Sequence, residues 1–266
     1  LTLLRVKEAP ALSIQLWSVK DTLKKDFVGT LTKLSEMGFK GVEFAGYYGP
    51  FQENPEKLKS LLNKLGLTAS GAHVGIDAFN SDVVHKNLLF FKTLGITNVI
   101  VPWDDRAWHP EKVSQLTNQL TQIDQLVSRY GMQVGFHNHQ HEFAQFNGST
   151  YWDFIAKNTP KRVVLQLDVG WARYAVKNSE EYIKRYPGRT LTTHFKIRSR
   201  KGENVSPIIG DNDFPWDSLI DTVVSVGGAQ WIVMEQEEYP DSLSELEAVA
   251  RSKRGLDKYI ERYLTK

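Results

Sequence analysis

The sequence predicts an α/β fold, a single (β/α)8 barrel over residues 1–266, and three observations carry that expectation. Short apolar runs and helical patterns alternate eight times. The runs are rich in Val, Ile, Leu and Phe, as strands buried on both faces are. The connections are short, with no Pro/Gly/Ser-rich linker and no low-complexity segment. A flavodoxin-like open sheet with an extra lobe is the competing arrangement, and eight consecutive units favour closure into a barrel.

The strand-like runs are 12–17, 41–46, 68–74, 98–103, 133–139, 163–168, 190–197 and 231–236. Helical patterns at 26–37, 55–65, 82–94 and 111–130 repeat apolar residues every three or four positions, so each buries one stripe. Gly38, Gly66, Gly95 and Gly131 follow the last turns, where a left-handed cap favours glycine. Asn54-Pro55 and His109-Pro110 read as helix starts with Pro at the first position. Asp213-Phe-Pro-Trp-Asp-Ser starts another helix, and 242–264 closes the set.

Composition sets limits. Apolar residues make up 41% of the 266, enough for a sizeable core, and no apolar run approaches the roughly 20 residues of a membrane span. A net charge of +2 argues against nucleic acid as a partner. The chain has no cysteine, which excludes disulfides and thiolate metal ligands but not an exported protein. It begins Leu-Thr-Leu-Leu without Met, consistent with a removed signal peptide, so both a cytoplasmic and an exported location stay open.

Four runs end in residues that suit a metal: His137/His139, Asp168, His194 and Glu235. In a parallel barrel, strand C-terminal ends converge on one mouth, where function is located. Carboxylates and imidazoles converging there are what a divalent cation needs. Asp168 could instead cap a following helix, but no helix begins cleanly after it. His137, His139 and His141 share a face if the strand persists, and Glu142 follows in the loop. Glu142, Asp168, His194 and Glu235 form one candidate set, and His137 in place of Glu142 forms another. A histidine left free of metal can move protons. Lys196 could stabilise an oxyanion or be a solvated edge lysine. Glu43, His73, Trp103, the Trp108-His109 pair and Trp171 fall on the same expected rim. Aromatic faces with scattered polar groups there suit a sugar ring.

At these residues the chain resembles the sugar phosphate isomerase/epimerase superfamily of xylose isomerase-like barrels. The likeness rests on Leu-Ser-Ile-Gln-Leu-Trp-Ser-Val-Lys-Asp (12–21), Lys-Leu-Ser-Glu-Met-Gly-Phe-Lys-Gly-Val-Glu (33–43), Gly-Phe-His-Asn-His-Gln-His-Glu-Phe (135–143), Leu-Asp-Val-Gly-Trp (167–171), Thr-His-Phe-Lys (193–196), Ile-Gly-Asp-Asn-Asp-Phe (209–214) and Met-Glu-Gln-Glu (234–237). It implies a divalent ion (Mn, Zn, Mg, Co or Fe, with Mn or Zn favoured) on a Glu, Asp, His, Glu set. Asp168, His194 and Glu235 match the last three. Where many members carry the first glutamate this chain has His137, and the oxygen preference of the ion points to Glu142 as first ligand.

The resemblance further implies proton abstraction beside a carbonyl, through an enediolate that becomes an isomer, an epimer or an elimination product. His137 or His139 would move the proton. The His-Asn-His variant looks like members acting on keto-sugars, inososes or keto-glycosides. The expected partner is a small sugar, with no nucleic acid and no membrane, and exposed helix faces leave room for a homodimer. Two other classes compete. An abasic-site endonuclease would need a multi-metal cluster and a basic groove, and a non-catalytic sugar-binding barrel would keep the fold without turnover.

Overall fold

The computed structural model describes residues 7–240 and 242–266; residues 1–6, on which the expectation of a removed leader rests, lie outside the described residues. Eight parallel strands close into a barrel: β1 (Ala11–Gln15), β2 (Gly41–Phe44), β3 (Thr68–His73), β4 (Asn98–Val101), β5 (Gln133–His137), β6 (Val164–Asp168), β7 (Thr192–Phe195) and β8 (Trp231–Met234). Spatial order follows chain order. β8 returns to β1 with Ala11 opposite Trp231 and Ile14 opposite Met234. Most strands end one or two residues before their apolar runs do. The chain turns at the mouth into short 3-10 segments such as Leu16–Val19, which holds Trp17, and Asp105–Trp108, and Trp103 and His139 are loop residues.

The helices with a readable stripe are α2 (Phe27–Glu36), α3 (Pro55–Leu65), α4 (Val84–Leu94), α5 (Val113–Ser128), α9 (Trp216–Ser225) and α10 (Glu245–Thr265). Asn54 caps α3 by accepting the Lys57 N–H, and Gly66 ends it at φ 69°. Pro110 does not start α5, which begins at Val113, because the His109 ring accepts the Glu111 N–H and holds a turn there. Four shorter helices have no legible pattern: α1 (Lys20–Lys25), α6 (Tyr151–Lys157), α7 (Val169–Tyr174) and α8 (Ser179–Arg185). At six or seven residues each, they are too short to repeat a stripe.

Two environments result. Outward-facing strand residues such as Ile14, Val42, Phe136, Leu167, Phe195 and Met234 join helix residues such as Leu31, Leu62 and Leu120 in one hydrophobic core. The barrel interior near the mouth is instead polar, with Ser13, Gln15, Glu43, Gln166, Thr192 and His194 all buried. At the opposite end, buried Arg189 is held by the carbonyls of Ala156, Pro160 and Val163 and by Thr159. No helix among the described residues is long and apolar enough to cross a membrane.

Candidate metal centre

Four buried side chains from four adjacent strands meet at the mouth. His137 ends β5, Asp168 ends β6, His194 lies in β7 and Glu235 follows β8. Register sets Asp168 beside His194, and His194 beside Val233, two residues before Glu235. One ligand atom from each lies within 4.8 Å of the others. His137 Nε2 is 2.9 Å from Asp168 Oδ2, and His194 Nδ1 is 3.2 Å from Glu235 Oε1 and 3.6 Å from Asp168 Oδ2. Asp168 also caps a helix: α7 begins directly after it, and its Oδ1 accepts the Trp171 N–H at 2.9 Å. The two carboxylate oxygens thus divide the two roles that the sequence set against each other.

Glu142 is not in this group. Asn138 turns the chain away from β5 by accepting the Asp168 N–H at 2.8 Å, and Glu142 folds back to accept the His139 N–H at 2.8 Å. The group of side chains that could hold an ion thus takes in His137 and leaves out Glu142. Burial pushes the Glu142 carboxyl up to about 8, so it is a neutral acid over most of the physiological range.

Glu43 and His73 are expected on the rim but belong to the interior beneath the ligands. Glu43 accepts the Nε2–H of His194 at 2.6 Å, and amide hydrogens of Gln15 at 2.6 Å and Gln166 at 2.8 Å. His73 lies flat against His194, with centroids 4.9 Å apart, and pairs with Gln166 at 2.7 Å. Burial opposes ionisation of Glu43, but His73 and His194 outweigh it and hold the carboxylate at about 2. Burial would lower His194, but Glu43 and Glu235 raise it well above the ordinary imidazole range. His73 falls to about 4 through burial. Gln15, Asn138 and Gln166 escaped the sequence reading; their signal was an amide inside or directly after an apolar strand.

Lys196 is not a solvated edge lysine. Its buried ammonium sits 2.7 Å from Asp168 Oδ2 and 2.6 Å from Glu235 Oε1, with Glu237 as a third partner. Burial disfavours the charge, yet Asp168, Glu235 and Glu237 raise the lysine pKa. Burial also opposes ionisation of Asp168 and Glu235, but Lys196 keeps both well below the usual carboxylate range.

An aromatic wall stands over the ligands. The His139 ring is 5.0 Å from His137, 4.8 Å from Trp103 and 5.7 Å from Trp171. Burial, then His137, lowers His139 to about 3, and its Nδ1 has no protein partner. Arg198 stacks on Trp171 at 4.5 Å. His109 is not part of the wall, since its ring serves the backbone of Glu111; Trp108 and His141 stand there, 4.5 Å apart.

The donor set fits a divalent cation. Two imidazoles and two carboxylates suit Mn²⁺, Zn²⁺ or Fe²⁺. The Glu43 hydrogen bond fixes Nε2–H on His194 and leaves Nδ1 for an ion, the usual support for a ligating histidine. Two positive groups, Lys196 and His194, already gather on the oxygens an ion would take.

The barrel and this strand-end cluster define a class. The chain belongs to the xylose isomerase-like TIM barrel family, whose model matches residues 31–259. An inosose dehydratase of Lactiplantibacillus plantarum is 22% identical over 88% of this chain and 87% of its own length. A crystal structure of a sugar phosphate isomerase/epimerase from Parabacteroides distasonis superposes with a TM-score of 0.78 at 20% identity, covering 97% of this chain and 98% of the other. An L-ribulose 3-epimerase structure gives 0.67 at 14% identity, covering 95% and 96%. At these identities the structures share the fold.

Proposed function

We propose that this chain is a divalent-metal-dependent enzyme that removes a proton from the carbon beside the carbonyl of a sugar or keto-sugar, yielding an isomer or epimer through an enediolate. The observation that carries this is the convergence of His137, Asp168, His194 and Glu235 at the mouth, with ligand atoms within 4.8 Å. An ion bound there supplies Lewis-acid polarisation of the carbonyl and the neighbouring hydroxyl oxygen. His139 or His137 moves the proton in this reading: the two rings are 5.0 Å apart at the mouth, and His139 Nδ1 has no protein partner among the described residues. Glu43 accepts the Nε2–H of His194, so that Nδ1, which faces Glu235 and Asp168, is the nitrogen an ion would take. Lys196 balances the charge of the ligand carboxylates, and Trp103 and Trp171 flank the sugar and keep water out.

A second reading is elimination, in which the same enediolate expels a β-hydroxyl as water. The relative named inosose dehydratase favours it. Two measurements test both readings, and the second separates them. Elemental analysis of the wild type and Asp168→Asn should find near-stoichiometric Mn or Zn in the first and none in the second. NMR in deuterated water should show exchange beside the carbonyl of an inosose or a ketohexose, and an epimer or an alkene product distinguishes the two. A wild type that holds no metal after Mn²⁺ is added would refute the proposal and favour a non-catalytic sugar-binding barrel.

A further inference from the structure

A hollow of about 340 Å³ lies between α10 and the backbone of 208–211, bordered by none of the residues of the metal centre or its aromatic wall. That volume falls within the roughly 300–1,000 Å³ of small-ligand sites. Two glycines shape it. Gly255 sits inside α10, where glycine is a poor helix former. A Cβ there would stand 1.8 Å from the Ile209 carbonyl oxygen, so only glycine lets the 208–211 backbone lie directly on the helix. Gly210, at φ 106°, turns the chain at this contact. The Ile209 N–H donates to Ser252 Oγ at 3.1 Å and pins the wall to α10.

The helix side of the hollow is a stripe of four exposed cations, Arg251, Arg254, Lys258 and Arg262. Among the described residues none of them pairs with a carboxylate. Lys253 on the same helix, by contrast, holds Asp257 at 2.7 Å, and Arg106 and Arg173 hold their partners at the same distance. Asp211 is the one carboxylate on the lining, and it accepts the Ser206 hydroxyl at 2.7 Å. Like charges four residues apart, as in Arg254–Lys258 and Lys258–Arg262, weaken a helix when nothing neutralises them. A bound anion removes that repulsion, and the guanidinium fork matches phosphate oxygens. One phosphate carries about two negative charges, too few for four cations. The wall limits the size of what enters, and a net charge of +2 gives little long-range pull on a nucleic acid or an anionic membrane.

We infer that this hollow is a binding site for a small molecule with two or more phosphate groups. Isothermal titration calorimetry with tripolyphosphate tests it on the wild type, Arg254→Gln, Lys258→Gln, Gly255→Ala and Asp168→Asn. The wild type should bind at a single site with micromolar affinity. Arg254→Gln and Lys258→Gln should each weaken binding roughly ten- to hundredfold, the loss of one charge-assisted hydrogen bond. Gly255→Ala should weaken it as well, because the added methyl pushes the wall off the helix while every cation stays. Asp168→Asn should bind as the wild type does, since the metal centre takes no part. No saturation at low-millimolar tripolyphosphate overturns the site, as does an affinity unchanged in both charge variants. Binding lost in Asp168→Asn also overturns it and assigns the anion to the metal centre. Affinity unaltered in a folded Gly255→Ala leaves only a bare basic stripe; if that variant does not fold, the two charge variants decide. Co-sedimentation with phosphatidylserine vesicles that tripolyphosphate cannot displace overturns the small-molecule site in favour of a membrane surface.

Discussion

Replacing Glu142 by Gln tests the geometry of the centre most directly. Glu142 is fully buried and accepts the His139 N–H, and burial raises its carboxyl from 4.5 to about 8. The unfolded chain releases this proton near pH 4.5, whereas the folded chain holds it to about pH 8. The native state therefore binds more protons across that window. Stability is fully present below pH 4.5 and is lost as pH rises through about 8. At ~1.4 kcal/mol per pH unit, the loss reaches about 4 kcal/mol at pH 8 and stays under about 1 kcal/mol at pH 5. Gln keeps an acceptor for the His139 N–H and cannot ionise. In chelator, the variant should melt roughly 8–16 °C above wild type at pH 8 and within about 3 °C of it at pH 5. Calorimetry at the two pH values, with elemental analysis of both proteins, is the assay. A variant that loses its metal restores Glu142 to the ligand set, and a melting difference independent of pH refutes the assignment of a buried neutral acid.

His137→Glu converts the set to three carboxylates and one imidazole, so the preference of the centre should move from Zn²⁺ toward Mg²⁺ and Mn²⁺. Competition titrations measure this, and an unchanged metal order would remove His137 from the ligands. Arg189→Met leaves the carbonyls of Ala156, Pro160 and Val163 without their donor. Chemical denaturation should show a loss of about 3 kcal/mol while metal affinity is retained, because the site lies at the other end of the barrel. Weakened metal binding in that variant would mean that the two ends are coupled.

Eight apolar runs and their intervening stripes were legible because burial repeats along a strand or helix with a fixed period, and a single chain displays that period. Asp168, His194 and Glu235 stood out for a related reason: a charge or imidazole closing an apolar strand must find partners, and barrel topology places such ends together. The helices α6, α7 and α8 left no signal because one or two turns complete no pattern. Lys196 looked free because nothing local reveals Asp168 and Glu235 on the neighbouring strands. His109 looked like a rim residue because its bond to Glu111 is a property of the turn, not of its neighbours' identity.

What the sequence determined by itself is the barrel and the strands that feed its mouth, since both follow from periodic burial and from the cost of leaving a charge unpaired. Tertiary structure alone decided which groups meet. His137 rather than Glu142 joins Asp168, because Asn138 binds the backbone of β6 and sends the chain back on itself. Glu43 underlies His194 rather than lining the rim, because the closed barrel carries its side chain across the interior to a strand far along the chain. Such partnerships depend on distances of about 3 Å between strands, and no spacing along the chain encodes them.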